Sequence, residues 1–356
     1  MALMTTASSG ITPEYQTYFS KILLKHAIQL LVMNQLGQQK ELPRNKGSKS
    51  IRFFRPAAGD RTKVLGPTGY GFLNQLAEGD ATQAIASGNQ REITWTPIDM
   101  TLDIFGEPSK FSDLLDETDL FGTLEDISRL LGEDAAQAAD FYITEKVVKG
   151  LPASSKRYAE GAAGVHAQTF AGLAGEATLA NATLSIRDLL GAMTRLTITR
   201  APKPKGGKYV AAMPPQVSFD VKLDSKFVDA GVRGNNEGLF NGEVGTWYGI
   251  KILEQTQPHI EDGSGANEDT YNGTIVAGGG ANVGSIFTTV CTGAESFGFP
   301  VLAGNSPFSP KMIVNDRPDS QNPLGQYTTV GWKAYWVAGR LNDDWAIALR
   351  SKVSYV

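Results

Sequence analysis

The residue types that most often do chemistry in proteins are scarce in this sequence. It contains one cysteine, Cys291, and three histidines, His26, His166 and His259. A lone cysteine excludes a disulfide within the chain and favours a reducing compartment. Cys291 follows the strand-like run Thr-Thr-Val and has no nearby histidine in the sequence, so it is interpreted as a buried structural thiol rather than a nucleophile. His26 has no partner at metal-binding spacing, which favours a packed histidine.

The short motifs that could bind phosphate or metal are incomplete. Gly207-Lys208 is followed by Tyr209 instead of Ser or Thr, so it is no phosphate-binding loop. The glycine run at 278–284 has the wrong spacing for a dinucleotide and indicates a flexible turn. The acidic cluster Asp113, Asp116, Glu117 and Asp119 lacks the alternating ligands and turn glycine of a calcium loop. We interpret it as a solvated or partner-facing patch, and predict no catalytic residue, cofactor or metal.

Composition bounds the class of protein further. The 356 residues are 41% hydrophobic and 20% charged, which is enough for a packed core. The formal net charge is −4, whereas a dedicated nucleic-acid binder is normally basic. The 39 glycines, about one residue in nine, exceed the usual ~7% and favour many turns over a helical bundle. The start of the chain lacks a signal-peptide pattern, and the apolar stretch 22–33 is interrupted by polar residues, so no membrane span is expected.

The first half of the chain predicts two helices around a long loop. A helix is expected from Pro13 to Leu36, ended by Gly37. Strands are predicted over 50–55 and 93–104, with a bulge or edge position at Pro97. About 35 irregular residues lie between these strands, and loops of that length are usually functional. A long acidic helix follows at 120–150, with one apolar face formed by Leu120, Leu124, Ile127, Leu131, Ala135, Ala138 and Tyr142.

The second half predicts an α+β arrangement. Ser185 and Asp188 form a capping box before a helix. The alternating apolar residues at 217–223 predict a half-buried strand, as do 248–253 and 274–277. Alternation from Val330 to Ala338, a turn at 342–344 and a returning strand at 345–353 predict a C-terminal hairpin, in which Trp332, Trp336 and Trp345 pack in the core.

The order of these parts, together with several short stretches, resembles the major capsid proteins of tailed phages with the Hong Kong 97-type fold, most closely their N-four-like branch. Each stretch is short, but together they keep the family's order over nearly the whole chain. The stretches are Leu76-Ala-Glu78-Gly79, Phe105-Gly106, Phe111-Ser112-Asp113, Tyr209-Val-Ala-Ala-Met-Pro214, Gly242-Glu243-Val244-Gly245, Gly249-Ile-Lys-Ile-Leu-Glu254 and Gly331-Trp332-Lys333.

The resemblance implies a fold, a domain organisation and a function. The fold would be α+β, with an N-terminal arm (1–48), an extended loop (49–105), a peripheral domain (106–159 and 311–356) and an axial domain (160–310). The chain would assemble through pentamers and hexamers into the icosahedral shell of a double-stranded DNA phage, inside the host cytoplasm. Implied partners are a separate scaffolding protein, a portal, a cement protein, and enclosed DNA held without sequence-specific binding. The alternatives are an encapsulin-like nanocompartment shell, or an enzyme whose site is not recognised.

Opposite charges along the chain suggest how copies would contact one another. Residues 38–63 carry eight basic and two acidic side chains, a net charge of +6, whereas 99–145 carry thirteen acidic and two basic, a net charge of −11. The two segments either pair within one subunit, remain solvated, or form a clamp between neighbouring subunits. The inter-subunit contact candidates are Arg52, Arg55, Arg61, Lys63, Glu78, Asp113, Asp116 and Asp119.

Overall fold

The computed structural model describes most of the chain. The described residues are 21–23, 25, 31–42, 49–56, 95–112, 114, 123–160, 169–175, 182–204, 207–224, 243–247, 249–262, 268–272, 284–302, 308–315 and 322–354. The elements, in chain order, are β1 (Gln38–Leu42), β2 (Ser50–Pro56), β3 (Trp95–Thr101), β4 (Asp103–Ser112), α1 (Thr123–Val148), β5 (Lys156–Tyr158), α2 (Phe170–Gly175), α3 (Ile186–Ile198), β6 (Tyr209–Met213), α4 (Pro215–Leu223), β7 (Glu243–Trp247), β8 (Ile250–Glu254), β9 (Ile260–Glu261), β10 (Ile286–Thr292), β11 (Phe297–Leu302), β12 (Lys311–Asn315), β13 (Tyr327–Trp336), β14 (Gly339–Arg340) and β15 (Ala346–Ser351).

The largest sheet in the described part has seven strands and a core on each face. Its order is β5-β15-β10-β6-β8-β7, with β9 paired to β10. Because side chains alternate along a strand, β15 points Ala346 and Ala348 to one face and Ile347 and Leu349 to the other. The first face packs on α1, and the second packs on α3 and α4. This sheet therefore joins the two halves of the molecule.

A three-stranded sheet covers another part of α1. Its order is β12-β13-β4, and all three strands are antiparallel to their neighbours. Along β13, Val330, Trp332, Ala334 and Trp336 are buried against α1, whereas the residues between them are not. The predicted strand alternation and the core role of Trp332 and Trp336 are confirmed. In a separate small sheet, β1-β11-β14, the early strand β1 pairs in parallel with β11.

The long acidic helix is confirmed, and one of the predicted face residues whose burial the structure describes is wrong. α1 has 26 residues, about 39 Å at 1.5 Å per residue. Leu131 and Ala135 are buried as predicted, but Ala138 is not, and Ala139 occupies the buried position one turn after Ala135. The buried positions from Leu131 to Ile143 recur every four residues, which exceeds the 3.6-residue period, so the buried stripe winds slowly around the helix. Gly150, at φ +72°, ends the helical region as predicted.

The segment 217–223 is a helix, so the predicted strand is wrong. Pro214 is the N-cap of α4 and Pro215 occupies its first position, where proline suits a helix. Val217 and Val221, one turn apart, are buried, but Phe219 and Leu223 are 42% and 65% exposed. The apparent two-residue alternation arose from apolar residues on both sides of the helix. The capping box at Ser185 and Asp188, which starts α3, is confirmed.

Two further expectations are corrected. The C-terminal hairpin is wrong because β13 pairs with β12 and β4, whereas β15 pairs with β10 and β5 in the other sheet. The predicted turn is present, since Asn342 Oδ1 accepts the Asp344 N–H, but it carries the chain between sheets. The first helix does not reach Leu36, because Leu31 is not helical. The strand predicted at 274–277 lies outside the described residues.

Candidate assembly surfaces

Strands β2 and β3 form an antiparallel ribbon that is separate from the larger sheets. They pair from Ser50–Thr101 to Pro56–Trp95 without a shift of register, so Pro97 occupies an edge position and no bulge. Phe53 and Met100 pack inward on Leu341 in a small cluster. On the opposite face, Phe54 and Trp95 are each 59% exposed. The ribbon therefore presents two large aromatic side chains to its surroundings.

Arg52, a predicted contact residue, is paired within the ribbon. Its Nε and Nη2 donate to the two carboxylate oxygens of Asp99 at 2.7 and 2.8 Å. This hydrogen-bonded contact raises the pKa of Arg52 and holds the pKa of Asp99 below its ordinary value. Both side chains are more than half exposed, so water and salt screen the attraction. The pair fixes the local geometry of the ribbon more than it stabilises the fold.

The other contact candidates are placed as follows. Arg55 Nη2 lies 3.8 Å from Asp344 Oδ2, in the turn between β14 and β15. Both described basic candidates thus have a carboxylate partner within the chain, which was one of the alternatives left open by the sequence. Arg61, Lys63, Glu78, Asp113, Asp116 and Asp119 lie outside the described residues.

A buried carboxylate fastens the N-terminal segment to α1. Asp140 is 3% exposed, and its two oxygens accept the N–H groups of Val32 and Met33 at 2.8 and 3.2 Å. These donors are therefore not available to continue the first helix, which explains the separate turn at Met33–Gln35. Burial raises the pKa of Asp140 to about 7, although the backbone donors of residues 32–34 act to lower it.

We expect this carboxylate to make stability depend on pH. A folded pKa of about 7, against an ordinary 3.8, means that the folded protein holds the proton more tightly. The resulting stabilisation is complete below pH 4, decreases as pH rises, and is gone above pH 7. Between pH 5 and 7 the loss is about 2–3 kcal/mol. Urea unfolding of wild type and Asp140→Asn at several pH values checks this, because only wild type should show that slope. Equal slopes would contradict the assignment.

The most buried charges form one cluster, which sequence reasoning missed. Arg350, on β15, is fully buried, and its Nη2 and Nε donate to the two oxygens of Glu261 at 2.8 and 2.9 Å. Its Nη1 donates to Glu268 at 3.0 Å, and its Nη2 also contacts Asp269. Lys156 Nζ donates to Asp269 Oδ2 at 2.7 Å. Two cations thus offset much of the charge of three carboxylates, of which Glu261 is fully buried and Glu268 and Asp269 are partly exposed.

The cluster connects three parts of the molecule. Burial alone would raise the pKa of Glu261, but its contacts with His259 and Arg350 outweigh burial, so the pKa lies below its ordinary value. His259 Nε2 lies 3.3 Å from Glu261 Oε1, and its ring faces Tyr271, whose ring in turn meets Phe141 of α1. The charged groups therefore link the seven-stranded sheet to residues 268–272, and the aromatic contact of Tyr271 extends this link to the long helix. An arginine inside the apolar strand 346–351 was the available sequence signal.

Chemical activity is not evident from the geometry of these groups. The Cys291 thiol is buried, and burial raises its pKa to about 12, so it is protonated and inert at neutral pH, as expected for a structural thiol. Within the described ranges, histidine, cysteine and acidic side chains form no group arranged to hold a metal ion. Nor does any helix among those ranges combine the length and the apolar character needed to cross a membrane.

The architecture is the Hong Kong 97-type α+β fold, as the sequence predicted. A chain of the capsid of Ralstonia phage GP4 matches with a TM-score of 0.61 at 13% identity, covering 91% of this chain and 88% of that one. A chain of the capsid of cyanophage Pam1 also gives 0.61 at 13% identity, covering 99% and 100%. The SrpI encapsulin complex of Synechococcus elongatus gives 0.51 at 10% identity, covering 99% and 98%. No protein-family model matches the sequence, and no curated protein matches it.

Proposed function

We propose that this chain is a major capsid protein, which assembles through pentamers and hexamers into the icosahedral shell of a tailed double-stranded DNA phage. The observation that carries the proposal is the β2–β3 ribbon on a Hong Kong 97-type fold. It has little core of its own, and it exposes Phe54 and Trp95 on one face. A two-stranded ribbon is marginal by itself in water.

Contact with a second copy would stabilise this ribbon. Covering an exposed aromatic side chain removes on the order of 100 Å² from water, which is about 2.5 kcal/mol at 25 cal/mol per Å². Two such residues give a modest contact. In a symmetric assembly the same contact repeats at each neighbour, so its total effect is large. Contacts that are weak singly but numerous together allow a misplaced subunit to dissociate before the shell closes.

The division into an arm (1–48), an extended loop (49–105), a peripheral domain (106–159 and 311–356) and an axial domain (160–310) is part of this proposal. So are the virion location, assembly in the host cytoplasm, and the partners: a scaffolding protein, a portal, a cement protein and the enclosed DNA. We also propose a structural role instead of catalysis. The inert thiol of Cys291 and the internally paired Arg350 cluster support that choice.

An encapsulin-like shell is the second candidate, because the encapsulin complex shares the fold over nearly the whole chain. The two candidates differ in what the particle encloses. A phage shell is expected to take up double-stranded DNA with portal and packaging proteins, whereas an encapsulin-like shell would enclose a protein cargo. Mass spectrometry of particles isolated from the native source, with nuclease protection of the enclosed nucleic acid, distinguishes them.

The proposed charge clamp between subunits can be tested by charge reversal. The design must allow for the ion pairs that Arg52 and Arg55 make within the chain. Reversing Arg52, Arg55 and Arg61 to Glu should slow assembly by about tenfold or more at low salt, with a smaller effect as salt screens the contact. Light scattering measures the rate, and circular dichroism checks that the subunit remains folded. Mixing with subunits carrying Asp113, Asp116 and Asp119→Lys should restore part of the rate.

A control separates the clamp from the intrachain pair. Arg52→Glu with Asp99→Arg reverses both partners and keeps the ribbon ion pair. Full recovery by this exchange, with no rescue from the mixed subunits, would assign Arg52 to the ribbon and contradict the clamp. Rescue by the mixed subunits alone supports contact between subunits.

A further inference from the structure

The face of the three-stranded sheet that points away from α1 has unusual apolar exposure. Ile104 on β4, Ile313 on β12 and Tyr335 on β13 are 64%, 50% and 48% exposed. Their positions alternate with residues that pack on α1, so all three lie on the outward face. Single exposed apolar residues are common on protein surfaces. Three on one face of a small sheet form a patch, and such patches mark interaction sites.

An open cleft runs across this patch. Its volume is about 430 Å³, and its lining includes Ile104, Pro108 and Ile313. Glycines 106 and 331 also line it, at a close approach of neighbouring strands. A Cβ on Gly331 would lie 2.7 Å from the Glu107 carbonyl oxygen, and one on Gly106 would lie 2.5 Å from the Trp332 carbonyl oxygen. Side chains cannot be added here without displacing a neighbouring strand.

Among the described residues at outward-facing positions of these strands, the charged side chains are all basic. Lys311 and Lys333 are direct cross-strand partners. On β4, Lys333 pairs with Gly106, and Lys110 lies four residues further along that strand. Within the described part of the chain, none of the three has a carboxylate within 4.0 Å. Two are held over tyrosine rings, Lys110 over Tyr327 at 5.1 Å and Lys333 over Tyr335 at 5.2 Å. The acidic residues of β4, Asp103 and Glu107, alternate with these outward positions, as Phe105 does. Both acidic residues are exposed, and Glu107 also lines the cleft.

The cross-strand lysine pair indicates that this face has a role outside the subunit. Like charges directly opposite one another destabilise a sheet. The cost disappears when a negatively charged partner lies between them. Apolar side chains beside the lysines add a second requirement, because phosphates of a nucleic acid would neutralise the charge but leave the cleft unfilled. A protein segment with both carboxylates and an apolar side chain meets both requirements.

We propose that this face binds an acidic, apolar segment of a partner protein in an extended conformation. Four residues along β4 separate the two basic ends of the face by about 13 Å. In an extended segment, positions i, i+2 and i+4 point the same way and span the same distance. The segment therefore has carboxylates at i and i+4, which contact the lysines, and an apolar side chain at i+2, which fills the cleft. An accessory protein of the shell would supply it, and this last assignment alone rests on the proposed function.

Fluorescence anisotropy with a labelled peptide, GSETFTESG, tests the proposal on the intact chain. Two control peptides change one requirement each: GSKTFTKSG reverses the charge, and GSETSTESG removes the apolar side chain. We expect GSETFTESG to bind with a Kd below about 1 mM and each control at least about tenfold more weakly. Lys311→Glu with Lys333→Glu should weaken binding of GSETFTESG about tenfold, and Ile313→Ser should weaken it several-fold.

A matched variant separates this face from general charge. Lys203 is also held over a tyrosine ring, Tyr209, at 5.6 Å, but lies elsewhere on the molecule. Lys203→Glu should bind GSETFTESG as wild type does. Equal affinity for the three peptides, no binding at 1 mM, or displacement of the peptide by a DNA duplex that binds more tightly through the same lysines would overturn the proposal. Electron microscopy of the same variants reports on shell formation separately, so loss of peptide binding with normal shells concerns this face alone.

Discussion

Replacing Arg350 with methionine is expected to reduce the free energy of unfolding by about 3–5 kcal/mol, a large fraction of the stability of a typical domain. The reason is that Glu261 is fully buried and takes two hydrogen bonds from the guanidinium. Removing one partner of a buried ion pair leaves the other charge in the interior without compensation. The net contribution of the intact pair is smaller than this loss, because both groups give up their hydration on folding. Urea denaturation followed by circular dichroism measures the change.

Two controls make this result specific to the cluster. Arg187→Met removes an exposed arginine whose Nε lies 3.6 Å from Glu160, and should cost less than about 1 kcal/mol. Arg350→Met with Glu261→Leu removes both charges and should recover much of the lost stability. Among the described cations, Lys156 then remains within 4.0 Å of Glu268 and Asp269. A double variant as unstable as Arg350→Met would show that the loss comes from packing and not from the unpaired charge.

Replacing Phe54 and Trp95 together by serine is expected to abolish shell assembly while leaving the subunit folded. Both side chains lie on the outward face of the ribbon, so their removal creates no cavity in the described core. In an assembled shell they would be covered by a neighbour, and losing about 5 kcal/mol at every such contact prevents closure. Sedimentation velocity measures assembly, and a urea titration measures subunit stability.

The matched control uses an exposed apolar residue away from the ribbon. Leu324 is 79% exposed, and Leu324→Ser should assemble at the wild-type rate. If the Phe54 and Trp95 double variant forms normal shells, the ribbon is not part of the contact that drives assembly. A double variant with lowered subunit stability would instead show that the ribbon packs on its own chain.

Periodic signals along the chain predicted the main elements of the fold. The apolar positions of α1 and the alternation of β13 come from long segments, in which many residues must agree before a face can be buried. The capping box at Ser185 is similarly local, since its partners lie three residues apart. The failures have local causes as well. In α4, four apolar residues in seven fitted a strand pattern, and the two prolines at its start were the better signal.

Features that depend on distant residues were not predictable. Arg350 and Glu261 are 89 positions apart, so their pairing is not visible in sequence order. β13 and β15 follow each other closely in the chain, but hydrogen bonding places them in different sheets. Of the contact candidates, Arg52 and Arg55 have intrachain partners, and the role of the others stays a prediction. The outward face that carries the apolar patch and three lysines combines three strands, and it appears only when the register is known.

Electron microscopy of the purified 356-residue chain tests the central claim most directly. A shell-forming subunit should give closed shells of uniform size, or rings of five and six subunits, in negatively stained fields of the protein alone or co-expressed with a scaffolding partner. These particles should also sediment far ahead of a 38.2 kDa monomer. A chain that remains strictly monomeric at high concentration, with the partner present and with no particles on the grid, would contradict the claim.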